Sequence, residues 1–227
     1  PFTVRVVRSL PKSVQVVTLV NAPGLKPLPL RKDANFEAEK HDHGHAHGHA
    51  HEKGAVDPHV WLDPANAKAM VDHIATVLKP RFASSAAKLD ENVARAKADI
   101  DALATDLERD LKPLAGRGYV VFHDAYRYFE SRFGLTPVGA FVLDPETPPS
   151  GRRLTDLRRR IGQLGATCVF AEPNFDAKVV DAVIDGTKAR KGVLDPEGAT
   201  LTAGPQLYPV LMRNLAAELR RCLAPST

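Results

Sequence analysis

The sequence predicts an α/β protein built on a mostly parallel sheet. Two observations carry that reading. Beyond Pro113, short continuous apolar runs at 119–122, 138–143, 168–171 and 193–194 have the character of buried parallel strands. Between them lie stretches whose apolar residues recur at helical spacing, and strands alternating with helices imply βαβ units. A third observation is a long amphipathic pattern immediately before Pro113. With 227 residues and 44% hydrophobic content, the chain has ample material for a core. No internal repeat is visible.

In order along the chain, residues 14–20 (VQVVTLV) are β-branched and apolar and read as a strand. Residues 21–58 are rich in Pro, Gly and charge and read as a loop, longer than a compact domain ordinarily carries without a function. Asp63-Pro64 then opens a helix, with Asp63 as N-cap and Pro64 at its first position. Ala67, Met70, Val71, Ile74, Val77 and Leu78 form its apolar stripe, and His73 lies off that stripe as an exposed helix histidine. A longer helix covers 85–111, where Leu89, Val93, Ala96, Ile100, Leu103 and Leu107 recur at steps of four and three. It would brace two domains, pack within one, or offer a coiled-coil surface. Pro113 ends it. The later helices carry Phe129 and Phe133; Leu154, Leu157, Ile161 and Leu164; Val179, Val180, Val183 and Ile184; and a last run from Tyr208 to Cys222.

Formal net charge is +4, with both signs mixed along the chain, which points away from a nucleic-acid partner. Arg152, Arg153, Arg158, Arg159 and Arg160 form the densest basic cluster, on a helical stretch that reads as a solvated face. No run of 18 apolar residues exists, so the chain is not expected to span a membrane. No signal peptide is visible, and the first residue is Pro1, so the chain reads as processed or partial. Cys168 and Cys222 are compatible either with one disulfide or with two buried thiols.

The chemistry centres on histidine. His41, His43, His45, His47, His49 and His51 alternate with Asp, Gly and Ala spacers that cannot build a core. Such a tract reads as a metal-collecting segment, with a tag or polar linker as the plainer alternative. In open α/β sheets, ligands bind beyond the carboxyl ends of strands. His123, Asp144, Glu172 and Asp195 each directly follow an expected strand. His123 is the best candidate, because a rigid element would position it. Asp195 follows, although Asp-Pro also opens turns. Glu172 would either ligate or accept a hydrogen bond from a ligating histidine. His59, in Asp57-Pro58-His59-Val60-Trp61-Leu62-Asp63-Pro64, is a further candidate, or else a loop histidine bonded to backbone.

Two of these segments carry a specific resemblance. Residues 58–64 (PHVWLDP) and 122–126 (FHDAY) resemble the signature segments of cluster A-I metal-binding proteins, the solute-binding subunits of bacterial ABC metal importers. The histidine tract, the 168–173 segment (CVFAEP) and Cys222 resemble the zinc-specific ZnuA branch. The resemblance runs from about residue 14 to 222. It implies a two-lobed α/β fold with parallel sheets joined by a long rigid helix. Residues 1–84 would be an incomplete N-terminal lobe carrying the tract, 85–112 the linking helix, and 113–227 the C-terminal lobe. It implies a Cys168–Cys222 disulfide, and a cleft metal site with His59 and His123 from opposite lobes and Asp195 beside them. The family also uses a histidine upstream of the tract, which this chain lacks before His41. Two histidines and a carboxylate would leave one tetrahedral position open.

The expected function is therefore extracytoplasmic, periplasmic capture of Zn2+ by a monomer that hands it to the permease of an ABC importer, with the metal as cargo and no catalysis. Neutral imidazoles are required, so affinity should fall in acid. The alternatives are a zinc-dependent hydrolase using Glu172 as base, though no HExxH motif supports it, and a truncated remnant with metal sites only in the loop.

Overall fold

The computed structural model describes residues 2–36 and 55–224, so the histidine tract lies outside the described residues. Four parallel strands form the sheet: β1 (Gly118–His123), β2 (Thr136–Val142), β3 (Cys168–Ala171) and β4 (Arg190–Val193), in the spatial order β2-β1-β3-β4. Alternate residues of each strand point to opposite faces. Tyr119, Val121, Cys168 and Phe170 face one hydrophobic cluster, whereas Val120, Phe122, Val169 and Ala171 face another. Both faces are covered, which is why these strands read as continuous apolar runs.

Helix α4 (Arg127–Phe133) follows β1 and ends at Gly134, whose left-handed backbone terminates it. Helices α5 (Gly151–Gln163) and α6 (Ala177–Ile184) cover the second face, and α7 (Leu207–Leu223) packs on the first. The Cys168–Cys222 disulfide ties β3 to α7. Strand β4 starts at Arg190, ahead of the apolar pair at 193–194 that was expected to form it. As an edge strand it accommodates Arg190 and Lys191 near solvent, and those two residues hid it from a search for apolar runs.

Before the sheet, α2 (Pro64–Leu78) begins where Asp63 accepts a hydrogen bond from the Ala65 amide at 2.8 Å, as the Asp-Pro pair predicted. Helix α3 (Ala86–Leu111) has 26 residues and a length of about 39 Å. Its second half buries Ile100, Leu103, Leu107 and Leu111, while Leu89, Val93 and Ala96 on its first half are only half-buried, on the side of α2. A short helix α1 (Phe2–Ser9) precedes these elements.

The strand expected over 14–20 does not form. Residues 14–18 have no regular structure, Leu19–Asn21 makes a single 3₁₀ turn, and Val14 and Val16 remain exposed. β-propensity becomes a strand only where a neighbour supplies ladder bonds and a surface to pack on. Among the described residues no strand pairs with this segment.

The described parts of the long loop are pinned at both ends. The Leu30 amide donates to the Ala55 carbonyl, the Asp57 amide donates to the Leu28 carbonyl, each at 2.9 Å, and Pro29 and Val56 form an antiparallel bridge. Further along, the Ala140 amide of β2 donates to the Ala34 carbonyl at 2.9 Å. Residues 28–36 therefore form a strap from the His59 segment to the free edge of the sheet. Arg153 ties it to β2, donating to the Ala34 carbonyl and the Asn35 side chain of the strap and to the Ala140 carbonyl of the strand. This side chain, expected on a solvated face, instead turns inward, because carbonyls at the sheet edge accept its N–H groups.

Candidate metal centre

His123 is the last residue of β1, one of the two inner strands of the sheet. The strand backbone fixes its Cα, and Glu172, immediately after β3, fixes the ring. The Glu172 carboxylate lies 2.8 and 2.7 Å from His123 Nδ1 and also accepts from the His123 amide at 3.2 Å. His59 stands just before a 3₁₀ turn (Val60–Leu62). Its Nδ1 lies 2.7 Å from Asp57 Oδ1, which also accepts from the His59 amide at 3.0 Å. Asp57 and Glu172 are buried, at 1% and 5% exposure. A carboxylate only accepts, so each Nδ1 is the donor, and in the neutral imidazole that tautomer leaves the Nε2 lone pair free for a metal.

The two Nε2 atoms face each other at 3.4 Å. Facing lone pairs repel unless a cation stands between them. Two nitrogens bound to one Zn2+ at about 2.0–2.1 Å and near the tetrahedral angle are themselves separated by roughly 3.3–3.4 Å. The pair thus fits a zinc ion, and each ring has the carboxylate-to-Nδ1 support found at histidine–zinc sites.

The surroundings hold this geometry. The His59 ring packs edge-on against Trp61 at 5.5 Å, and Phe175 lies 6.0 Å from the His123 ring. Trp61 donates its indole N–H to the Pro196 carbonyl at 3.0 Å, and its own carbonyl accepts from the Tyr208 hydroxyl at 3.0 Å. These bonds dock the His59 segment onto the loop after β4 and onto α7. Tyr126 lies 6.4 Å from the His123 ring. Burial first, then the charges of Glu172 and Asp195, push its phenol well above the ordinary tyrosine pKa.

Among the described residues, no group of three or more His, Cys, Asp or Glu side chains is arranged to hold a metal. Asp195 is near enough for its charge to act on Tyr126, but its carboxylate is occupied by its own loop. Oδ1 accepts from the amides of Glu197 at 3.1 Å and Gly198 at 2.8 Å, while Oδ2 has a long contact of 3.4 Å to the Thr200 amide. Asp144 is exposed and caps a turn through Glu146. His73 lies mid-way along α2, half-buried. The structure thus joins His59 with His123 and seats Glu172 behind the latter. Sequence reading missed Asp57 as the partner of His59. Its only local signal was a carboxylate two residues ahead of a histidine.

A second buried polar group lies alongside. Arg31, from the strap, contacts Asp124 Oδ1 at 2.5 Å and Glu130 Oε2 at 2.9 Å, and both carboxylate side chains are 3% exposed. Desolvation raises Glu130 to about 7 against the pull of Arg31, and it raises Asp124 as well.

Comparison with known proteins places the chain in a family. Residues 1–222 match the family model described as ZnuA, zinc-uptake complex component A, periplasmic. The chain is 41% identical to the high-affinity zinc uptake system protein ZnuA of Brucella suis, over 98% of this chain and 73% of that protein. A crystal structure of ZnuA superposes with a TM-score of 0.65 at 25% identity, over 74% of this chain and 61% of that one. A manganese-bound periplasmic metal-binding protein from Candidatus Liberibacter asiaticus shares the fold, with a TM-score of 0.70 at 18% identity over 95% of this chain and 73% of that one. The chain thus spans about three quarters of that Brucella relative and a little over three fifths of the solved ZnuA. With nearly its whole length matched, it belongs to the ZnuA family of periplasmic zinc-uptake components.

Proposed function

We propose that this chain captures Zn2+ in the periplasm and delivers it to the permease of an ABC importer. The observation that carries the reading is the His59–His123 pair, with its Nε2 atoms 3.4 Å apart and each Nδ1 on a buried carboxylate. In this reading the two imidazoles ligate the ion. Asp195 contributes Oδ2, whose contact within its own loop is long, and a further position stays open to solvent or to the upstream part of the family fold. Residues 1–84 and 113–227 act as the two sides of the cleft, with 85–112 as the brace. The six tract histidines, 41 to 51, supply accessory sites that raise the local zinc concentration. The protein acts as a monomer toward its permease, and no helix among the described residues is long and apolar enough to cross a membrane.

The hydrolytic alternative loses its base. Glu172, which that chemistry requires, is committed to His123 through both oxygens.

The test is a competitive zinc titration of the chain with residues 41–51 deleted, beside the same chain carrying His59→Ala and His123→Ala. One tight site, lost in the double variant, is the expected result. Binding that disappears with the tract and is insensitive to the two substitutions would overturn the cleft site.

A further inference from the structure

We infer that Arg31 is a positioning residue for the metal pair, a cross-brace that sets the separation of His59 and His123. The inference rests on the reading of those histidines as ligands. Arg31 lies in the middle of the strap, and the strap touches both halves of the site. On one side, residues 28–30 pair with 55–57 through the Leu30–Ala55 and Leu28–Asp57 hydrogen bonds. Asp57 in turn holds the His59 ring. On the other side, the guanidinium contacts Asp124, the residue after His123, whose amide donates to the Val142 carbonyl of β2 at 3.2 Å. Its second arm reaches Glu130 on α4, and Glu130 Oε1 accepts from the Tyr119 hydroxyl of β1 at 3.3 Å. Phe36 stacks beneath the guanidinium at 4.0 Å.

The path from one imidazole to the other is therefore short and wholly specified. It runs from His59 to Asp57, to the 28–30 pairing, to Arg31, to Asp124 and to His123. A planar two-armed cation suits this place, because it meets two carboxylates in fixed directions, which an ammonium cannot do. The Tyr128 hydroxyl runs parallel to this path, accepting from the Leu28 amide and donating to the Asp57 carbonyl. Loss of Arg31 should therefore loosen the pair rather than abolish it. Groups that orient metal ligands are typically worth about 10–100-fold in affinity.

The test uses the full chain with the six tract histidines replaced by serine, so that only the cleft reports. Removing Arg31 alone would strand two buried carboxylates. The decisive variant is therefore Arg31→Met/Asp124→Asn/Glu130→Gln, which is neutral and close in volume. Thermal unfolding checks that it folds. The expected result is a folded protein with zinc affinity lowered about tenfold or more. Its bound Co2+ should show a weaker, shifted visible absorption, the mark of a distorted site. Arg31→Lys, which keeps the charge but loses the fork, should fall between wild type and the triple variant, and it decides the matter if the triple variant does not fold. Wild-type affinity and an unchanged Co2+ spectrum in a folded variant would overturn the brace. His123→Ala is titrated alongside. If it too leaves zinc binding unchanged, the reading of the site itself fails; if it abolishes binding, failure of the Arg31 variants condemns the brace alone.

Discussion

His123 and His59 reach the same point from very different supports. His123 closes a strand that is hydrogen-bonded on both sides, and its side chain is 6% exposed. His59 precedes one 3₁₀ turn on a loop segment, with its side chain 15% exposed. The sheet fixes the first directly. The second is placed by contacts distant in sequence: Trp61 on Pro196, Asp57 on Leu28, and Tyr128 on Asp57. One half of the candidate site is thus set by the sheet and the other by the docking of a loop.

The comparison can be broken most directly at the two proposed ligands. If both ligate, His123→Ala and His59→Ala should each lower the zinc affinity of the cleft by more than the roughly 10–100-fold that losing a ligand's orienting partner costs. Each variant leaves a buried carboxylate, Glu172 or Asp57, without its side-chain partner, so each should cost about 3 kcal/mol in urea unfolding. Losses near zero would mean that these carboxylates find other partners.

The disulfide tests the sheet side next. Replacing Cys168 and Cys222 together by alanine opens a loop with a sequence separation of 54. The chain-entropy account puts the loss at about 4 kcal/mol. Because the bridge lies behind β3, the affinity of the folded protein for zinc should change by less than about threefold, roughly the scatter of such effects at a distance. A large affinity loss in the folded variant would show that the rigid half relies on the bridge.

Glu130 offers a pH test. Its pKa rises on folding from 4.5 to about 7, so the folded protein holds this proton more tightly than the unfolded chain. The contribution to stability is therefore fully present below pH 4.5 and is lost as the pH rises toward 7, a decline on the order of 3 kcal/mol. Glu130→Gln should flatten that part of the stability–pH curve measured by denaturant unfolding. An unchanged slope would place the titration elsewhere.

The smallest effect concerns the strap. A Cβ at Gly139 would stand 2.9 Å from the Ala34 carbonyl oxygen. Gly139→Ala should push the strap from the edge of β2, cost about 1–2 kcal/mol, and raise amide exchange at 34–36 and 140. Unaltered exchange there would mean that the strap yields without leaving the sheet.

Much of this architecture was legible before any coordinates. Runs buried on both faces, such as 119–122 and 168–171, announce a parallel strand because nothing else of that length needs unbroken hydrophobicity. Asp63-Pro64 announces a helix start because Asp supplies the cap and Pro lacks the amide that a first turn leaves unpaired. The seven-residue rhythm from Leu89 to Leu107 announces α3. His123 was singled out because a polar residue at the end of such a strand emerges at the sheet's ligand-binding edge, and His59 through the motif around it; the structure brings the two together. The 14–20 run misled because a β-branched sequence states only a preference, which needs a partner strand to act on it. The edge strand β4 was misplaced because edges admit charge. Arg153 was misread because helical spacing shows which residues share a face, not what covers that face.

The sequence by itself determined which segments would be strand or helix in the C-terminal half, where β1 would present a histidine, and the family to which the motifs belong. Those properties are written in local periodicity and short motifs, which act over a few residues. Only the tertiary structure decided that Asp57 and Glu172 turn each Nδ1 away from the cleft, that the two Nε2 atoms stand one zinc ion apart, and that Asp195 is engaged by its own loop. It also decided that an arginine on a strap nearly a hundred residues from Glu130 in sequence would be buried between Glu130 and Asp124. Apart from the local bonds of Asp57 to His59 and of Asp195 within its loop, these contacts join residues 49 to 99 positions apart, and their geometry depends on how whole elements dock.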